Sequence, residues 1–145
     1  MEIGMILLAT VAATSLMTAF SYLVSEAFRE LYKEPLLLQY LMTRFNLGIK
    51  DTKKVIAGWT LHYFIGLIFV LLFHFLWKEG FLEITWLTGV IYGAIIGIMG
   101  IAGWVVMFIL SDYKPCIDFK GYYLQLFVAH MIFALTIVLV YKIML

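Results

Sequence analysis

The chain has 145 residues, 65% of them apolar and 13% charged, with a net charge of +1 at pH 7. Soluble domains carry about 25% charged residues, so this composition excludes an ordinary soluble catalytic domain, and the near-neutral balance gives no electrostatic reason for a nucleic-acid partner. One cysteine, Cys116, excludes an intrachain disulfide and any multi-cysteine metal site.

The first uncharged stretch runs from Ile3 to Ser25, 23 residues. A helix needs about 20 predominantly apolar residues to cross a bilayer core, so this stretch predicts span 1. The start, Met1-Glu2-Ile3-Gly4, lacks the positive n-region of a secretory signal, and the apolar run exceeds a usual h-region. It therefore reads as a retained span. Thr10, Thr14, Thr18, Ser21 and Ser25 recur at steps of four, four, three and four, within an arc of roughly 80° on a helix. Such a hydroxyl stripe ordinarily bonds to neighbouring helices. A water-lined path is the alternative.

The connection from Glu26 to Lys54 contains an apolar segment over about 27–47. Pro35 suits a first helical turn. After it, Leu38, Leu41, Met42 and Phe45 recur at helical spacing, with Gln39, Thr43 and Asn46 opposite. The pattern predicts a short amphipathic helix in the membrane interface, serving as an anchor or as a lid over a cytoplasmic-side site. Gly48 is the expected C-cap of that helix, and Asp51 or Thr52 the expected N-cap of the next.

Val55 to Trp77 holds 23 uncharged residues, Ile84 to Ser111 holds 28 and Gly121 to Tyr141 holds 21. These predict spans 2, 3 and 4, the last continuing to about residue 144. Gly58 and Gly66 lie one turn either side of His62. In span 3, Gly89, Gly93 and Gly97 form tandem small-xxx-small steps, continued by Gly100 and Gly103, with Trp104 on the same arc. Glycines of this kind let helices approach closely in lipid, so they are expected to pack the bundle or to form a seam with a second copy or a membrane protein partner. The loop Asp112 to Lys120 contains Pro115, Cys116 and Asp118. Two carboxylates and a thiol there are weak evidence for a metal, and a free thiol without a role is the expectation.

Lys and Arg set an orientation. Arg29, Lys33, Arg44, Lys50, Lys53, Lys54, Lys114 and Lys120 fall in two connections, against Lys78 and Lys142 on the other side. The positive-inside rule places both long connections in the cytoplasm and both termini outside. The halves show no internal repeat, so inverted-repeat transporter logic gains nothing.

Histidine is the one residue type within the four stretches that titrates near neutral pH, at positions 62, 74 and 130. His74, three residues from Trp77, reaches the outer interface. His62 and His130 each lie roughly 12–15 Å inside the cytoplasmic boundary. Thr18 and Trp104 reach the same level, with Ser21 and Tyr22 one turn nearer the cytoplasm. Two uncharged imidazoles bonded to span 1 hydroxyls would hold the bundle together. Alternatively, His62, His130, Thr18, Ser21, Tyr22 and Trp104 line a pocket for a small molecule, a lipid headgroup or a proton relay. Haem between His62 and His130 is a third alternative, whereas zinc or copper would lack further ligands at that depth. No catalytic residue is expected, because the spans contain no carboxylate and no nucleophile–base pair.

Gly58-Trp59-x-x-His62-x-x-x-Gly66, His130 and Glu34-Pro35-Leu36 resemble a group of small bacterial four-helix integral membrane proteins known as a domain of unknown function. The resemblance implies a bacterial inner-membrane location and supports a role for His62 and His130. The sequence as a whole is that of an all-α membrane protein, with four transmembrane helices in an antiparallel bundle and one interfacial helix between spans 1 and 2. The candidate function is a polar pocket in the cytoplasmic half. The alternative is a structural subunit packing through span 3.

Overall fold

The computed structural model describes residues 2–145, apart from the side chain of Asp51. Among the described residues the chain is all-helical and contains no strand. Its five helices are α1 (Glu2–Phe28), α2 (Glu34–Arg44), α3 (Asp51–Lys78), α4 (Trp86–Leu110) and α5 (Phe119–Met144). Four of them, α1, α3, α4 and α5, are long and apolar enough to cross a membrane. At a rise of about 1.5 Å per residue, even the 25 residues of α4 exceed a hydrocarbon core of roughly 30 Å.

Local chemistry sets the helix ends. The Thr85 hydroxyl accepts from the Thr88 N–H to begin α4, and the Asp118 carboxylate accepts from the Lys120 and Gly121 N–H groups to begin α5. Asp118 therefore serves as a cap. At α3 the cap position is Lys50, which makes no side-chain capping bond, and Thr52 lies inside the helix. The Asp51 side chain, the other expected cap, lies outside the described residues. The C-cap of α2 is Phe45, followed by Asn46 in the left-handed conformation at φ 49°. Gly48 comes too late to be that cap. Asparagine can take the left-handed turn itself, because its short polar side chain bonds locally.

Contact register relates the long helices. Ser15 meets Tyr63, Thr18 meets His62 and Tyr22 meets Trp59, so residue numbers rise along α1 as they fall along α3. The α4 glycines run against α5 in the same opposed sense. A Cβ at Gly89 would come 3.0 Å from Val138, one at Gly93 3.0 Å from the Met131 backbone, and one at Gly97 3.0 Å from Phe127. Close helix approach explains these glycines, and the neighbour is α5 of the same chain. The stripe ends at Gly100, since a Cβ at Gly103 would meet nothing within 4 Å. Gly103 therefore takes no part in the contact between α4 and α5.

Two buried clusters result. One joins Ala9 and Ala13 of α1 to Phe73, Tyr92, Phe133 and Ile137. The other joins Leu37, Leu38 and Leu41 of α2 to Trp104, Phe108 and Tyr122. Glu34, Pro35, Leu37, Leu38, Leu41 and Met42 are all buried, whereas Phe45, expected on that apolar face, is 44% exposed. The α2 helix is thus a wall of the second cluster.

Candidate functional site

Sharp folding back after α1 brings a carboxyl group into the helix cluster. Arg29 takes the left-handed conformation at φ 55°, and the Glu30 N–H bonds the Ser25 carbonyl at 3.1 Å. The Ser25 hydroxyl donates to the Glu30 carbonyl and accepts from the Tyr32 N–H. This turn sets Glu34, the first residue of α2, beneath Ser21. The Ser21 hydroxyl donates to Glu34 Oε1 at 2.7 Å, while Gln125 Nε2 of α5 donates to the Ser21 oxygen and lies 3.4 Å from the same carboxylate oxygen. Glu34 is 2% exposed. Burial pushes its carboxyl up from the usual range to about 7, against the opposing pull of the Ser21 and Gln125 hydrogen bonds. Its second oxygen, Oε2, has no hydrogen-bond partner, and neither do the nearby Tyr122 hydroxyl and Gln125 Oε1.

The two deep histidines stand beyond this carboxyl. His62 Nε2 lies 2.9 Å from Thr18 Oγ1, and that hydroxyl also donates to the Thr14 carbonyl at 2.6 Å. A threonine hydroxyl has one proton, so Thr18 must accept from an Nε2–H. His130 Nδ1 lies 2.8 Å from the Leu126 carbonyl, which can only accept, so His130 carries its proton on Nδ1. In the uncharged rings this leaves Nδ1 of His62 and Nε2 of His130 as acceptors. The His130 ring lies over Gly100, where a Cβ would come 2.7 Å from Cε1 and 2.8 Å from Nε2. Only glycine leaves that space.

A cavity of about 190 Å³ joins these groups. Glu34, His62, His130, Thr14 and Trp104 line it, and the rest of its wall is built from Met, Leu, Ile, Phe and Gly side chains. The Thr14 hydroxyl is buried without a partner. Gly58 and Gly66 frame the site: a Cβ at Gly58 would come 2.7 Å from the Pro35 carbonyl of α2, and one at Gly66 would collide with the Thr14 hydroxyl of α1. Between them His62 faces the space that the two close approaches enclose. On the far side α4 supplies Trp104, Gly103 and the half-exposed Met99. The α3 and α4 helices touch at their other ends, where the Tyr92 hydroxyl donates to the Phe69 carbonyl at 2.6 Å.

The positions read from the sequence thus divide. His62, His130 and Trp104 line one cavity. Thr18 and Ser21 stand behind it, as the partners of His62 and Glu34. Tyr22 points elsewhere, 6.0 Å from the Trp59 ring and with Lys33 Nζ 5.0 Å from its own ring centre. His74 is buried rather than merely interfacial, with Nδ1 2.9 Å from the Tyr141 hydroxyl. Among the described residues, no three His, Cys, Asp or Glu side chains come together as a metal site; Cys116 is exposed.

Reading the spans alone misses Glu34, Gln125 and Tyr122. Glu34 is detectable as a carboxylate sharing the helical face of Leu37, Leu38 and Leu41, a position where an ordinary surface helix carries no charge.

Searches of protein-family models, of curated proteins and of solved structures find no match to this chain.

Proposed function

We propose that the chain is a four-span membrane protein, an antiparallel bundle, and that its cavity binds a small and mostly apolar molecule. The observation that carries this reading is the convergence of Glu34, His62 and His130, from three different helices, on one cavity whose wall is otherwise apolar. A few fixed polar groups in an apolar pocket are the usual composition of a small-molecule site. A dry cavity of about 150 Å³ holds a benzene ring, so about 190 Å³ suits a ring with a short side chain. A tetrapyrrole is far larger, which disfavours haem between the histidines.

Exposed apolar faces support a lipid surround: Leu7, Val11, Ile91, Ile95 and Ile98 are each at least half exposed along α1 and α4. The charge bias supports cytoplasmic long connections and, with the resemblance, a bacterial inner membrane. On the cytoplasmic side α2 is the short amphipathic helix, closing the cavity with Glu34 and Leu38. The exposure of the lining residues Met99 and Gly103 supports a rim between α3 and α4, where lipid would lie.

A proton relay is less well supported. His62 and His74 are 12 residues apart on α3, about 18 Å along the axis, and fully buried Val70, Phe73 and Ile137 lie between their levels. Such a layer offers a proton no hydrogen-bonded path.

Gly103→Leu tests the reading, because Gly103 lines the cavity and a side chain added there has nothing within 4 Å of its Cβ. Monocyclic aromatic compounds are expected to raise the unfolding temperature of the detergent-solubilised protein and to leave that of Gly103→Leu unchanged. Equal responses from the two proteins would put any binding outside the cavity.

A further inference from the structure

Most of the available polar atoms in the cavity accept a hydrogen bond. Glu34 Oε2 is buried and unpartnered, and it belongs to a lining residue. His130 donates through Nδ1 to Leu126, which leaves an Nε2 lone pair over Gly100. His62 donates through Nε2 to Thr18 and keeps a lone pair at Nδ1. Thr14 Oγ1 is unpartnered and accepts as readily as it donates. Trp104 offers an aromatic face beside them. Among the described residues no lysine or arginine lines the cavity, and the hydrogen-bond partners of Glu34, Ser21 and Gln125, carry no charge.

A cavity whose buried carboxylate has no cation beside it favours a ligand bringing both N–H donors and positive charge. We propose that the cavity binds a primary ammonium carried on a small apolar body, with the Glu34 carboxylate as counter-ion and hydrogen-bond acceptor. This rests on the cavity being a ligand site. A primary ammonium has N–H donors for the unpartnered Glu34 Oε2, whereas a quaternary ammonium has none. The apolar body fits against Trp104, Phe69 and Phe133, and an aromatic wall adds cation–π attraction. A free arylalkylamine and an ethanolamine lipid headgroup present the same ammonium, and the rim between α3 and α4 is open to either.

The test is binding of 2-phenylethylamine against 2-phenylethanol, which matches it in shape but lacks the charge, by calorimetry at mildly alkaline pH. A charge-assisted hydrogen bond predicts about ten- to hundredfold tighter binding of the amine. That preference is expected to vanish in Glu34→Gln, which keeps the side-chain shape. Equal affinity for both compounds, lost in Gly103→Leu, would overturn the ammonium assignment and leave the ligand site standing. No binding of either compound, with unfolding in the absence of ligand unaltered, would overturn the ligand site as well. Repeating the titration in phosphatidylglycerol nanodiscs with and without phosphatidylethanolamine separates the sources. Competition by the added lipid assigns the ammonium to a headgroup, and its absence assigns it to a free amine.

Discussion

Glu34→Gln should make the protein insensitive to pH over a range where the native chain is not. The Glu34 carboxyl titrates at about 7 in the folded protein, against an ordinary carboxyl value of 4.5. Between those values the folded chain keeps a proton that the unfolded chain has released. Native stability therefore falls as pH rises through this window and levels off above about 7. The difference of about 2.5 pH units, at 1.36 kcal/mol per unit, corresponds to about 3 kcal/mol. Other titratable groups near Glu34 are Tyr22 on α1 and Tyr122 on α5, with His62 on α3 and His130 on α5 lining the shared cavity. Their contributions are common to both proteins and cancel in the comparison. A glutamine at position 34 retains an acceptor for Ser21 and supplies N–H donors toward the unpartnered Gln125 Oε1 and Tyr122 hydroxyl. Unfolding by SDS in mixed micelles, from about pH 5 to about pH 8, should show the variant gaining on the native protein by up to about 3 kcal/mol. Curves that stay parallel across the window would show that Glu34 is not a buried carboxyl and that α2 does not dock through it.

Gly93→Ala should destabilise by about 1–3 kcal/mol, because its Cβ would overpack against the Met131 backbone at 3.0 Å, whereas Gly103→Ala should cost nothing. The same SDS titration checks both. Tyr141→Phe should cost about 1–3 kcal/mol by stranding His74 Nδ1 among buried groups, with thermal unfolding as the measurement. A reporter active only in the cytoplasm should stay silent when fused to the C-terminus; a signal would invert the orientation.

Much of the architecture was legible because lipid imposes a one-dimensional rule. Four uncharged runs mark four long helices, and the structure moves their ends by only a few residues, to caps such as Thr85 and Asp118. Depth counting along α3, α4 and α5 also put His62, Trp104 and His130 at one level, where they line one cavity. What escaped was tertiary. Glu34 sits in a charged connection between Lys33 and Pro35, and its burial depends on a left-handed Arg29 turning α2 back under Ser21. No span-by-span count contains that turn. Tyr22 shows the converse error: it has the right depth but the wrong side of α1, facing Trp59. Depth is set by chain position, whereas facing is set by which helices meet. The glycines divide for the same reason, Gly100 admitting the His130 ring and Gly103 opening on empty space.

The most direct test is to locate a bound ligand. Crystals grown with 4-bromophenethylamine should give an anomalous bromine peak inside the cavity, with the ammonium nitrogen at about 2.7–3.2 Å from Glu34 Oε2. A bromine signal confined to the lipid-facing surface of α1 or α4, with the cavity unchanged at saturating amine, would contradict the site.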